Sequence, residues 1–193
     1  ERWCLIHATH MDDGEISGLA ESRAVAGLCP TTEANLGDGI FPADSFIEEG
    51  GRIGIGSDSN IRISLAEELR MLELSQRLQH RQRTVLADTE IPSNGRFLYE
   101  RAAIGGAQAI GRNAGRIEAG CVADMIALRD DAPFLNWPEP DQRLDSWIFG
   151  VEGNAVSDVW AAGRHIVRDG RHVKRDAIRT RFQQVMHRLG NAL

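Results

Sequence analysis

What this sequence has little of already narrows its class. Cysteine is scarce: Cys4, Cys29 and Cys121 are an odd number with no metal-ligand spacing between any pair, so neither a disulfide framework nor a zinc ribbon is indicated. Nothing calls for an oxidising compartment. No apolar window approaches the roughly 20 residues that span a bilayer, and no signal-type segment is read at the start. The cytoplasm is the expected compartment, and a membrane is not an expected partner. Excess basic charge is also missing. With a net charge of −6 and a pI near 5.5, the chain offers no clustered Lys and Arg for counterion release from nucleic acid, and the run from Arg77 to Arg83 reads as a solvated helix end. Internal repeats and low-complexity tracts are absent. What is there, 193 residues of which 42% are apolar, suffices for a real core in one large or two small domains.

The pattern changes near residue 115. Before it, short apolar strands alternate with helical stretches: His10 to Arg23 carries Met11, Ile16 and Leu19, Pro42 to Glu49 is brief, and Ser64 to His80 sets Leu65, Leu69, Leu72 and Leu78 near one face. Ser64 followed by Glu67 predicts a capping box. A loop from Thr84 to Asn94 leads to a helix over about Gly95 to Ile110, whose Gly105-Gly106 pair permits close packing. This rhythm implies a parallel sheet covered by helices. After Gly111 the pattern is β-rich, with a strand at Ala123 to Leu128 and a hairpin across Val156 to Val167 turning at Ala162-Gly163. Asp130 to Asp141 reads as a flexible connection. Arg175 to Leu189 closes as an amphipathic helix with Ile178, Phe182, Val185 and Leu189 on one stripe. The expected domains are residues 1–114, the end of a barrel; 115–174, strands of a β-sandwich; and 175–193, a terminal helix. Trp147, Phe149 and Trp160 are expected to pack the sandwich on the barrel or one subunit on another, and a homodimer is expected.

Three apolar runs end in polar groups. Trp3 to His7 ends on an imidazole, Ala24 to Pro30 runs into a polar turn at Thr31 to Asn35, and Ile53 to Gly56 stops at Asp58 among small residues. In an α/β barrel the carboxyl ends of the strands are where chemistry is placed, which makes Asp58 and His7 catalytic candidates. Taken singly, each has a plainer reading: His7 as a strand-end histidine, Asp58 as a turn residue, Glu33 as a turn cap. His10 is read as structural or exposed, and His80, His165, His172 and His187 have no spacing that suggests ligation. Cys4 and Cys29 read as inert small hydrophobes, and Gly37-Asp38-Gly39 as turn formers.

Leu5 to His10, the stretch Gly27-Leu-Cys-Pro-Thr-Thr-Glu-Ala-Asn-Leu-Gly-Asp-Gly39 and Gly54 to Ser59 resemble strands six, seven and eight of the amidohydrolase superfamily barrel. The middle motif resembles the formimidoylglutamate deiminases in particular. Gly115 to Asp124 is similar to the superfamily's late return to a β-sandwich. One departure is Asn60, where that family commonly has His. The resemblance implies the carboxyl-terminal part of a (β/α)8 barrel, strands six to eight, followed by β-sandwich strands and a terminal helix, within a protein roughly twice as long. It implies one divalent metal, zinc being expected, with Asp58 as both metal ligand and proton acceptor and His7 orienting water or stabilising charge. Glu33 and Asn35 are implied at the substrate. The His-x-His pair of strand one, the histidine of strand five and the glutamate proton shuttle would lie upstream of Glu1. The implied reaction is hydrolysis of N-formimino-L-glutamate to N-formyl-L-glutamate and ammonia, in histidine degradation. Two alternatives stay open: another deaminase of the superfamily acting on a purine, pyrimidine or triazine amine, and a non-catalytic fragment or binding piece.

Overall fold

The computed structural model describes residues 1–131, 133–136, 139–153 and 155–191. Two compact units emerge. One comprises Glu1–Val122 and Asp130–Glu152, the other Ala123–Arg129 and Gly153–Leu193.

The first unit is an α/β layer built on β1 (Cys4–Ile6), β2 (Val25–Leu28) and β3 (Arg52–Ile55), parallel and in the order β1-β2-β3. Its central strand is buried on both faces, as continuous apolar runs in parallel sheets demand: Val25, Ala26 and Leu28 have no exposed surface. Helix α1 (Asp13–Ser22) joins β1 to β2, and α2 (Pro30–Leu36) with α3 (Ala43–Glu48) joins β2 to β3. Then come α4 (Leu65–His80) and α5 (Asn94–Ala109). Helix α5 lies so close on β3 that a Cβ at Gly105 would sit 1.9 Å from the Ile53 carbonyl oxygen. The glycine is therefore a steric requirement of the helix–sheet contact. A short helix α6 (Pro140–Asp145) runs into a π-helical turn, Ser146–Gly150, whose Trp147 meets Tyr99 edge-on at 5.8 Å.

Three local expectations need correction. Thr31 to Asn35 is helix, not turn: Pro30 presets the first helical φ, the Cys29 carbonyl accepts from Glu33 N–H at 2.9 Å, and Gly37 ends the helix in a left-handed conformation. The box at Ser64 is half-formed. Ser64 Oγ accepts from Glu67 N–H at 3.3 Å, but the Glu67 carboxylate is drawn to Arg62 at 2.5 Å and Arg70 at 3.1 Å. A complete box forms instead at Asp12 and Glu15. The expected connection from Asp130 to Asp141 lies partly outside the described residues, and within it Leu135 is buried to 1% exposure.

The second unit is a four-stranded antiparallel sheet in sequential order, β4 (Met125–Leu128), β5 (Val156–Ala161), β6 (Arg164–Arg168) and β7 (Arg171–His172), with helix α7 (Arg175–Gly190). The hairpin turns at Ala162-Gly163, both at positive φ, the geometry that matches strand twist in a two-residue loop. Trp160 stacks on His165 at 4.5 Å, and His165 Nε2 pairs with Asp158 Oδ1 at 2.6 Å.

Candidate active site

Parallel register brings the ends of the three strands of the first unit to one edge. Ile6 pairs with Gly27, and Leu28 with Ile55, so His7, Cys29 and the turn holding Asp58 all follow directly from paired positions. The loop backbone is tied to that edge by His7 N–H to Gly27 O at 2.9 Å and Gly56 N–H to Leu28 O at 3.0 Å.

Both candidate residues sit in strained turns. Ala8 N–H bonds to Ile6 O at 2.9 Å around His7, whose φ is +69°, the rare form of the three-residue γ-turn. Asn60 N–H bonds to Ser57 O at 3.0 Å with Asp58 as the second residue at φ +49°, a position usually left to glycine. Non-glycine residues held this way persist where the surroundings over-determine them, and such strain clusters at functional sites. Asn60 closes the loop by accepting from Arg62 N–H at 2.8 Å.

Helix α2 organises what lies between. Glu33, 4% exposed, places Oε1 3.1 Å from His7 Nδ1 and 2.8 Å from the Cys29 amide nitrogen. The amide must donate to it, and the carboxylate selects the His7 tautomer that also donates, leaving Nε2 as the free ring atom. Thr32 Oγ1 donates to Ser57 O at 3.0 Å, clamping the Asp58 turn to the same helix. Buried Glu68 of α4 accepts from both Thr31 N–H, at 2.9 Å, and the Thr31 hydroxyl, fixing α2 from behind. The Cys29 thiol is pushed up to about 11, first by burial and then by the charges of Glu33, Asp58 and Glu68. It is a neutral thiol at neutral pH. The same observation puts Asp58 within electrostatic reach of the His7–Glu33 pair's neighbour.

The structure thus brings His7, Cys29 and Glu33 together, with the Asp58 turn at the end of the neighbouring strand. His7 lines a cavity of about 850 Å³ with Leu5, Thr9, His10 and Asp38, a set that does not include Asp58. Asn35 is exposed and lines a separate recess of about 160 Å³ with Asn60, Arg62 and Arg70. Asp58 fits as one donor to a divalent metal: it is exposed in the turn after β3, and none of the hydrogen bonds or ion pairs among the described residues occupies its carboxylate. Cys29 and Glu68 were missed as site-builders. Glu68 had a signal, an acid beside Leu69 and Leu72 on the apolar face of α4.

A histidine and an aspartate at the carboxyl end of a parallel sheet stand where α/β barrels place their chemistry, and an amidohydrolase family model matches residues 2–166. The chain belongs to the amidohydrolase family. It is 49% identical over 189 residues to formimidoylglutamate deiminase of Pseudomonas aeruginosa, covering 98% of this chain and 42% of that protein. A crystal structure of an amidohydrolase from Brucella melitensis superposes with a TM-score of 0.89 at 48% identity, over 97% of this chain and 41% of that one. An adenosine deaminase from Xanthomonas campestris with bound zinc shares the fold at a TM-score of 0.82 and 23% identity, over 97% of this chain and 42% of that one. The chain therefore spans about two-fifths of the length of these relatives.

Proposed function

We propose that the longer protein containing this chain hydrolyses the formimino C–N bond of N-formimino-L-glutamate, giving N-formyl-L-glutamate and ammonia in the histidine-degradation route of the cytoplasm. The observation that carries this reading is the His7–Glu33 pair at the strand ends of the sheet that also carries the Asp58 turn, in a chain 49% identical to a deiminase.

Zinc, held on this chain by Asp58, would supply Lewis acidity and a water acidified toward neutrality. The chain's own residues do the rest. Asp58 takes the proton of the attacking water. His7, oriented through Nδ1 by Glu33, presents Nε2 to the water or to the developing tetrahedral carbon, where it stabilises charge. The added water oxygen stays on carbon as the formyl group, its protons go to the leaving nitrogen, and ammonia departs. Asn35, on α2, and Arg62, in the segment after β3, line one recess, to which we assign substrate contacts.

The test is ammonia release by the full-length protein from N-formimino-L-glutamate, compared with adenosine, guanine and cytosine. Turnover of the formimino substrate alone is the expected result. Preference for a ring amine would move the protein to another branch of the family, and no turnover with metal bound would make it a binding piece.

A further inference from the structure

The reading above leaves the Cys29 side chain without a task, yet its sulfur belongs to a cluster. Cys29 Sγ, a ring nitrogen of His7 and a carboxylate oxygen of Glu33 all lie within 4.8 Å of one another. They come from the end of β1 and the start of α2. A tetrahedral ion with bonds of about 2.0–2.3 Å needs ligand atoms roughly 3.3–3.8 Å apart. The His7–Glu33 separation is 3.1 Å, so a side-chain adjustment of about an ångström completes three ligands. Cys29 and Glu33 are buried, while the His7 side chain keeps 36% of its surface exposed, which gives an ion its way in. The carboxylates of Glu33, Asp58 and Glu68 all bear on the sulfur, a field that favours a cation. Sulfur with imidazole selects soft or borderline ions over magnesium and calcium.

We propose that His7, Cys29 and Glu33 form an inhibitory site for a soft divalent cation, zinc in excess or cadmium. Binding displaces the thiol proton, so that Cys29–SH and M²⁺ become a thiolate–metal bond and one released H⁺. It also takes His7 from Glu33 and from the water. Inhibition rests on His7 acting in the proposed reaction; the site itself does not.

The experiment titrates cadmium into the full-length protein already loaded with one equivalent of zinc. It follows the near-ultraviolet thiolate-to-cadmium absorption, proton release into a weakly buffered indicator and ammonia release from N-formimino-L-glutamate. A band saturating at one added equivalent, with one proton released and activity falling about tenfold or more, is expected. Cys29→Ser should lose the band and need about tenfold more cadmium for inhibition, whereas Cys4→Ser and Cys121→Ser should keep both. No band in the unmodified protein, or a band that survives Cys29→Ser, overturns the site. Should Cys29→Ser fail to fold, as circular dichroism reports, folded Glu33→Gln must bind cadmium about tenfold more weakly or the proposal fails. A Cys29-dependent band in a protein that releases no ammonia upholds the site and rejects the proposed reaction.

Discussion

His7 and Asp58 hold backbone torsions that an L-residue adopts at a cost, φ +69° and +49°, of the order of 1 kcal/mol or more each. Asp58 allows that strain to be measured, because it is exposed and its carboxylate makes no hydrogen bond or ion pair among the described residues. Asp58→Gly should be about 1 kcal/mol more stable than Asp58→Ala while both lose ammonia release. Denaturant midpoints of the two variants check this, and equal midpoints would remove strain from the account. In the proposed reaction Glu33 would act by holding the His7 ring. Glu33→Gln keeps size and can still bond the ring but no longer dictates which nitrogen carries the proton, so kcat should fall about 10–100-fold with KM little changed. Steady-state kinetics separate this from loss of substrate contact, which would raise KM. Cys29 yields a prediction in pH. Its thiol ionises near 11 against an ordinary 9.0, so the folded protein holds this proton where the unfolded chain would release it. Stability associated with the group is full below pH 9 and declines as pH rises toward 11. Alkylation of Cys29 by iodoacetamide, followed by peptide mass spectrometry, should lag behind Cys121 at pH 8 and accelerate steeply above pH 10.

At the level of elements, α5 on β3 is the most exacting contact in the first unit. With the Ile53 carbonyl 1.9 Å from the point a Cβ would occupy at Gly105, helix and strand must part to admit even a methyl group. Gly105→Ala should destabilise the protein by about 1–3 kcal/mol, against a small gain for the same change at Gly106, where nothing lies within 4 Å. Equal urea midpoints for the two would contradict the packing. Elements such as this were legible in the sequence because their signals are local: the leucines of α4 recur at helical spacing, the small pair at Gly105-Gly106 announces a close approach, and the three apolar runs of the sheet stop at polar groups. Helix α2 was not legible. Thr31, Thr32 and Glu33 read equally well as a turn, and what makes them helical is tertiary, since buried Glu68 satisfies the Thr31 amide from another helix. The same reason hid the His7–Glu33 pair, whose members are 26 residues apart. Glu73 shows the limit from the other side. It looks like a surface residue of an amphipathic helix, yet it is fully buried and accepts from Arg77 Nε at 2.6 Å and the Val85 and Leu86 amides at 3.1 and 2.8 Å. Those amides belong to a loop 12 and 13 residues downstream, and periodicity along the helix says nothing of them.

For the molecule as a whole, the parallel sheet of three strands has an edge at β1, which among the described residues pairs only with β2. Leu5 and Ile6 on it are 41% and 56% exposed, and Trp3 just before it is 77% exposed. The relatives carry more than half of their length outside the matched region, this chain covering 42% of the Pseudomonas protein, so a further strand is available to cover such an edge in a protein of that length. Taken alone, the 193-residue chain presents unpaired N–H and C=O groups flanked by apolar side chains, which template pairing with a second copy. Light scattering should therefore show the isolated chain associating as its concentration rises. Ile6→Lys, which puts a charge on that edge, should shift association to about tenfold higher concentration or abolish it, whereas Leu78→Lys, at an apolar residue of α4 that is still more exposed, at 79%, should not. A chain that stays monomeric at high concentration, or one relieved equally by both substitutions, would mean that the β1 edge does not template association.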